Sequence, residues 1–178
     1  DLDFNSEIAI DFGMDKWGNT TPGKDFELGF IAPEHRPTKK LEFNLEMAYM
    51  LGYFSQKAHW IKNDEDEKIG FRFNPRTKSD DRDYFRSKSI GGFRFRDSSS
   101  TEWHGRPLIM ESPLVIKWLE HLGVDFDSPV HHREVSDWLL KANKELVCSY
   151  LKGLYDANGS PLRKNGKTLR RVNLYSRS

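Results

Sequence analysis

The sequence predicts an α+β protein in which amphipathic helices alternate with antiparallel strands. Apolar residues recur at helical spacing in several segments, whereas two phenylalanine-rich segments alternate with a period of two. The predicted order is helix, strand, strand, helix, and then a helix followed by a strand again. This order indicates a unit that begins to repeat in the second half of the chain.

The predicted helices have recognisable ends. Asn44 and Ser112 are of the residue types that cap helix N-termini, and Pro113 suits the first turn of a helix. Gly123 is typical of the residue that ends a helix. A further pair of helical segments breaks near Asn143. The segments that favour helices are residues 44–60, 112–123, 133–142 and 144–157.

Strands are predicted where apolar and polar residues alternate. In residues 68–74 and 91–96, phenylalanines alternate with arginines, which predicts an aromatic core face and a basic outer face. Ile69 is expected to join Phe71 and Phe73 on the core face. Further strands are expected at residues 7–12, 26–31 and 168–176, and a long charged connection at residues 75–89.

The charge of the chain is nearly balanced but unevenly distributed. The 178 residues carry a formal net charge of +1, yet basic residues cluster between Arg72 and Arg96 and again between Lys152 and Ser178. A near-neutral protein with two basic regions can bind a polyanion through one face.

The amino-acid composition also indicates the kind of cellular compartment in which the protein is expected. Cys148 is the single cysteine, so we expect no internal disulfide and no cysteine-rich zinc site. The cytoplasm or another reducing compartment therefore fits better than secretion. No apolar run approaches the roughly 20 residues of a membrane span, and we expect no signal peptide and no membrane partner.

Residues 150–160 read Tyr-Leu-Lys-Gly-Leu-Tyr-Asp-Ala-Asn-Gly-Ser. Gly153 lies inside a predicted helix, where glycine costs about 1 kcal/mol relative to alanine. A glycine is nevertheless found inside a helix where a second backbone packs closely against it. Asp156 and Asn158 then lie beside the helix end at Gly159. The segment thus predicts a tightly packed helix with polar residues at its C-terminal end, which we call the helix foot.

This segment resembles the signature motif of the LAGLIDADG homing endonucleases, especially the intein-associated (DOD) type. Residues 48–58 are similar to a first copy of the motif, and Gly52 holds there the position of Gly153. Residues 135–146, which include Trp138, resemble the lead-in to the second copy. The resemblance implies an N-terminal extension over residues 1–41 that could form a hairpin, a first repeat over 42–130, and an incomplete second repeat over 131–178.

The resemblance implies two motif helices that pack through Gly52 and Gly153 as a central spine against saddle-shaped antiparallel sheets. In the family, an acid at each helix foot holds Mg²⁺ beside a scissile phosphate. The aligned positions here are Lys57 and Asn158, beside a retained Asp156. An ammonium group repels Mg²⁺, and an amide supplies no charge. We therefore expect no catalytic residue, cleavage that is lost or weak, and no cofactor unless residual activity uses Mg²⁺.

The resemblance further implies binding of double-stranded DNA, which the family contacts through the outer faces of its strands. In the major groove arginine suits guanine and asparagine suits adenine, whereas the cations expected in a loop at residues 163–167 suit phosphates. The residues expected to bind nucleic acid are Arg72, Asn74, Arg94, Arg96, Arg163, Lys164, Lys167, Arg171, Asn173 and Tyr175.

Two alternatives to DNA binding stay open. The module could instead serve as an RNA maturase, a transcription regulator or a structural subunit of a larger complex, or an unrelated α+β domain could share only the glycine-containing string. The second repeat extends for about one predicted strand, and an exposed edge at residues 168–176 would be a liability. We therefore expect a second polypeptide or a further segment to complete it.

Overall fold

A computed structural model describes residues 17–18, 22, 41–75, 79–99, 106–164 and 168–174, with the backbone alone from Gly159 onward. The described residues form an α+β structure with antiparallel sheets. None of their helices is long and apolar enough to cross a membrane. The strands expected at residues 7–12 and 26–31 lie outside the described residues.

In chain order the elements are α1 (Leu45–Lys57), β1 (Ala58–Lys62), β2 (Lys68–Phe73), α2 (Ser79–Ser87), β3 (Ser89–Ile90), β4 (Phe93–Arg94), β5 (Arg96–Asp97), β6 (Leu108–Met110), α3 (Pro113–His121), a 3-10 turn (Val130–His132), α4 (Asp137–Lys141), α5 (Lys144–Asn158), β7 (Gly159–Lys164) and β8 (Thr168–Leu174).

The predicted helix starts are confirmed at three places. The Asn44 side chain accepts a hydrogen bond from the Met47 amide at 2.9 Å, and the Asn143 side chain accepts one from the Leu146 amide at 2.9 Å. Ser112 caps α3, and Gly123 follows that helix with a φ of 69°. These contacts satisfy backbone groups that a helix end leaves without intrahelical partners.

The first helix ends earlier than predicted, at Lys57 rather than at Trp60, because the chain continues directly into β1. The helix predicted from Arg133 also begins later, at Asp137. The Arg133 side chain is held by backbone carbonyl groups outside any helix, so residues 133–136 lead up to α4 instead of forming its first turn.

A four-stranded antiparallel sheet, in the order β1-β2-β6-β5, packs its aromatic face against α1. Phe71 and Phe73 are buried as predicted, and the Phe73 ring lies 4.8 Å from that of Phe54. Ile69 was expected on the same face but is 39% exposed. The β1–β2 register shifts at this point, so Ile69 is the extra residue of a bulge and the alternation is lost there.

Residues 75–99 differ most from expectation. The predicted charged connection contains α2, which Phe85 anchors in the core at 1% exposure. The single strand predicted at residues 91–96 is wrong. Gly91 and Gly92 adopt φ values of 61° and 92° and form a tight turn between β3 and β4. Arg94 and Arg96 consequently lie in different sheets.

One helix–hairpin unit occurs twice. The first unit, α1-β1-β2, recurs 101 residues later as the second unit, α5-β7-β8. In the first, the hairpin begins by pairing Ala58 with Phe73. In the second, it begins by pairing Gly159 with Leu174. Both hairpins shift register after the fourth residue pair, so the sequence repeat is also a backbone repeat without insertions.

The two helices of these units run parallel and cross at their glycines. A Cβ atom on Gly52 would lie 1.9 Å from the Tyr150 carbonyl oxygen, and one on Gly153 would lie 1.9 Å from the Tyr49 carbonyl oxygen. The contact is reciprocal between equivalent residues, as in a two-fold interface. Only a residue without a Cβ atom allows this approach.

The two units are covered unequally. Met50 of α1 is 2% exposed, whereas Leu151, its equivalent in α5, is 41% exposed. Phe54 is fully buried, whereas its equivalent Tyr155 is 39% exposed. Strand β2 pairs with both β1 and β6, while β8 pairs with β7 alone among the described strands. The first helix therefore lies inside a core and the second lies at its margin.

We expect Gly52→Ala and Gly153→Ala each to lower the free energy of unfolding by about 2–3 kcal/mol, because the methyl group must push a neighbouring backbone away. This loss outweighs the gain of about 1 kcal/mol in helix propensity. Urea unfolding followed by circular dichroism measures the change.

Gly123→Ala is the control, because the nearest atom to its new Cβ would be in Ser136 at 3.8 Å. Only the cost of a positive φ applies there, about 1–2 kcal/mol. A loss below 1 kcal/mol in both helix variants would contradict the close crossing.

The unequal cover predicts different effects of truncation at equivalent positions. Met50→Ala is expected to destabilise the protein by about 2–5 kcal/mol, the usual cost of a core cavity. Leu151→Ala should cost less than about 1 kcal/mol because its side chain is already partly in solvent. The two variants are compared by the same denaturant titration, and similar losses in both would show that α5 is covered as fully as α1.

Candidate functional site

The feet of the two crossed helices meet through Lys57 and Asn158. The Lys57 ammonium donates a hydrogen bond to the Asn158 side-chain oxygen at 3.3 Å, and the Asn158 amide donates one to the Gln56 side chain at 3.2 Å. Lys57 and Asn158 are 101 residues apart and hence equivalent in the two units. Because each contacts its own equivalent, this contact lies on the local two-fold axis.

Two tyrosines tie the helices together on either side of the glycine crossing. The Tyr49 hydroxyl donates a hydrogen bond to the Asp156 carboxylate at 3.1 Å. Tyr150, the equivalent of Tyr49, is hydrogen-bonded to Ser55, the equivalent of Asp156. Burial and then the Asp156 carboxylate raise the pKa of Tyr49 well above its usual value. Asp156, in the last turn of α5, therefore binds α1 through Tyr49.

Arg133 closes the foot of α1. Its guanidinium group donates hydrogen bonds to five backbone carbonyl oxygens, those of Phe54 (3.4 Å), Ser55 (2.8 Å), Ala58 (2.7 Å), Phe126 (3.3 Å) and Ser128 (3.0 Å). The last carbonyl groups of a helix lack intrahelical partners and form the negative end of its dipole. Partial burial lowers the Arg133 pKa, although Asp125 and Asp127 oppose this. The arginine remains a cation and neutralises that end of α1.

A basic row crosses the outer face of the sheet, the face away from α1. The strand registers pair His59 with Arg72, Arg72 with Ile109, and Ile109 with Arg96. Ile109 is 7% exposed between the two arginines, and Arg96 also forms an ion pair with Glu111. We call His59, Arg72 and Arg96 the outer row.

His59 lies near the guanidinium groups of Arg133 and Arg72. Partial burial lowers the pKa of His59, and the Arg133 and Arg72 guanidinium groups lower it further because a second positive charge beside them is unfavourable. His59 follows Lys57 by two residues, so the row begins beside the helix feet. Sequence reasoning found Arg72 and Arg96 but missed His59 and Arg133.

The other residues near the first unit that were predicted to bind nucleic acid, Asn74 and Arg94, do not belong to the outer row. Asn74 follows β2, is partly buried, and its side-chain oxygen accepts no hydrogen bond from any residue that the structure describes. Arg94 is exposed on the separate β3–β4 hairpin. In the basic region, Arg82 and Arg86 both bind Asp97 and fasten α2 to β5. These two arginines are therefore structural cations.

Four of the predicted residues of the second unit lie on its hairpin. Arg163 and Lys164 were expected in a loop but belong to β7, and Arg171 belongs to β8. Asn173 pairs with Ser160 as Arg72 pairs with His59 in the first unit. Lys167 and Tyr175 lie outside the described residues.

Arg133→Lys is expected to lower the free energy of unfolding by about 2–4 kcal/mol, because one ammonium cannot satisfy carbonyl groups spread around a planar guanidinium. Thermal and urea unfolding measure the loss. Arg94→Lys is the matched control on an exposed hairpin and should change stability by less than about 0.5 kcal/mol. Equal stability of the two variants would show that Arg133 does not hold the foot of α1.

The groups assembled at the helix feet are cations and neutral amides. Among the described residues, no cluster of three or more histidine, cysteine or acidic side chains is placed to hold a metal ion. Comparison with models of known protein families and with curated proteins gave no match. The functional proposal therefore depends on the geometry of the repeated unit and of its charges.

Proposed function

We propose that this chain binds double-stranded DNA on a scaffold derived from the LAGLIDADG homing endonucleases, with cleavage lost or weak. The observation that carries the proposal is the repeated helix–hairpin unit, whose helices cross at Gly52 and Gly153 and bring Lys57 against Asn158 at their feet. Each helix leads directly into a hairpin, so the two hairpins extend from one common point.

The symmetry of the unit suits a duplex. DNA has an approximate two-fold relation between its strands, and proteins that bind it often present two equivalent reading elements. A two-stranded ribbon fits the major groove, which is about 12 Å wide. Arg72 and Asn173 hold equivalent positions on the two hairpins and offer the side chains that suit guanine and adenine.

The charges support contact with a polyanion. Arg72 and Arg96 of the outer row, with Ile109 between them and His59 beside Arg72, form a strip on the face of the sheet opposite α1, where Arg96 also pairs with Glu111. Arginine at such a position can pair with guanine or contact a phosphate, and the two kinds of contact contribute specificity and affinity respectively. The proposal therefore includes both an electrostatic and a base-reading component.

The residues at the helix feet support the loss of cleavage. Phosphodiester hydrolysis assisted by Mg²⁺ requires hard, negatively charged oxygen ligands beside the phosphate. Lys57 and Asn158 supply an ammonium and an amide at the two equivalent positions. The nearby Asp156 carboxylate accepts a hydrogen bond from the Tyr49 hydroxyl. The amino acids present thus favour binding without hydrolysis.

The binding proposal is tested by selecting duplexes from a randomised library and measuring Kd by fluorescence anisotropy at several salt concentrations. Arg72→Gln is expected to weaken binding of a selected duplex by about 1–3 kcal/mol and to relax its sequence preference. Lys117→Gln removes the same charge from α3, on the core side of the sheet, and should leave Kd unchanged. Absence of salt-dependent duplex binding would overturn the proposal, and a preference for RNA would favour the maturase alternative.

Loss of cleavage is tested separately on the selected duplex. Wild-type protein with Mg²⁺ should leave both strands intact in a denaturing gel assay. Efficient nicking or double-strand cutting would contradict this part of the proposal while leaving DNA binding intact.

A further inference from the structure

We propose that Lys57 binds a backbone phosphate of the nucleic acid directly at the local two-fold axis, so that binding requires no divalent cation. This inference rests on the proposed function and adds to it the central contact of the complex. Lys57 would supply affinity rather than sequence preference, because a phosphate oxygen is the same at every base pair.

The position of Lys57 follows from the repeat. The ammonium lies against Asn158, its own equivalent, at 3.3 Å, and therefore lies where the two units meet. A ligand that contacts both hairpins symmetrically has to pass this point. The Asn158 side-chain oxygen accepts a hydrogen bond from the ammonium and orients the group at the axis.

Helix dipoles alone would make this point unfavourable for a phosphate. Both α1 and α5 end here, and each helix end carries roughly half a negative charge. Arg133 offsets this effect on α1, because it donates hydrogen bonds to the carbonyl oxygens of Ser55 and Ala58 on either side of Lys57 in the chain. Arg133 thus shares with Lys57 the neutralisation of the end of α1.

A second cation, Arg72, lies on the strand beside β1 and adds to the positive charge near Lys57. His59 pairs with Arg72 at the start of the outer row, and burial together with the charges of Arg133 and Arg72 lowers the His59 pKa, so His59 itself adds no charge at neutral pH. Asp156 is the acidic residue of the second motif, and its carboxylate accepts a hydrogen bond from the Tyr49 hydroxyl. A phosphate at the axis would therefore meet the ammonium of Lys57 with Arg72 nearby, while the Asp156 carboxylate is held toward Tyr49.

The test compares Lys57→Gln with Lys117→Gln on a selected duplex, using fluorescence anisotropy between about 50 and 200 mM NaCl. Wild-type protein should bind equally well in EDTA and in Mg²⁺. Lys57→Gln should weaken binding about tenfold at the lower salt and reduce the slope of log Kd against log salt by about 0.9, the value for one phosphate contact. Lys117→Gln should change neither, and Lys57→Arg should keep the wild-type slope.

The outcomes separate the two proposals. If wild-type protein binds no duplex, the proposed function is wrong and the role of Lys57 falls with it. If wild-type protein binds but Lys57→Gln keeps its slope, only the role of Lys57 is wrong. Should Lys57→Gln fail to fold, Asn158→Asp neutralises the ammonium in place and must reduce the slope by a similar amount. Wild-type binding that disappears in EDTA would also overturn the inference.

Discussion

The distance between α1 and α5 is set by two glycines, and the arrangement of the site depends on that distance. A side chain at either crossing point would separate the helix axes, because each glycine faces a carbonyl oxygen of the other helix. The hairpins leave the helices without a connecting loop, so a wider crossing would also separate the hairpins. The two tyrosine contacts, Tyr49 with Asp156 and Tyr150 with Ser55, lie on either side of the crossing and oppose rotation of one helix about the other.

Because the two helices run parallel and end side by side, the negative ends of their dipoles also lie together. Some positive charge has to lie there for the arrangement to be stable. A pair of carboxylates at the axis would increase that requirement and would need a bound cation. Lys57 and Asn158 reduce it, and Arg133 satisfies the carbonyl groups of α1 from outside the helix pair. The same constraint can thus be met with or without a metal ion, and the choice of side chains decides what the site can do.

Much of the fold could be predicted because its signals are local. Asn44, Ser112 and Gly123 mark helix ends within one turn of the residues that they cap, and a glycine inside a helix implies a close neighbour. α2 was missed because its charged segment holds only two core-packing rings, the adjacent Tyr84 and Phe85, and gives little periodicity.

The candidate site was predicted only in part for a different reason. Arg133 contacts carbonyl groups 75 to 79 residues away, and backbone carbonyls leave no mark in a sequence. His59 joins Arg72 and Arg96 only through the strand registers, which alternation within one strand does not determine. The residue types could be read from the sequence, but the partners depended on the tertiary structure.

The unequal cover of the two helices has a consequence for how the protein opens. Amide groups of α1 are enclosed between a sheet and α5, so their exchange with solvent requires unfolding of the whole core. One side of α5 faces solvent at Leu151 and Tyr155, so we expect the amide groups on that side to exchange before those of α1. A chain that repeats its backbone does not repeat its local stability. Hydrogen exchange and proteolysis should therefore begin in the second unit and reach the first one last.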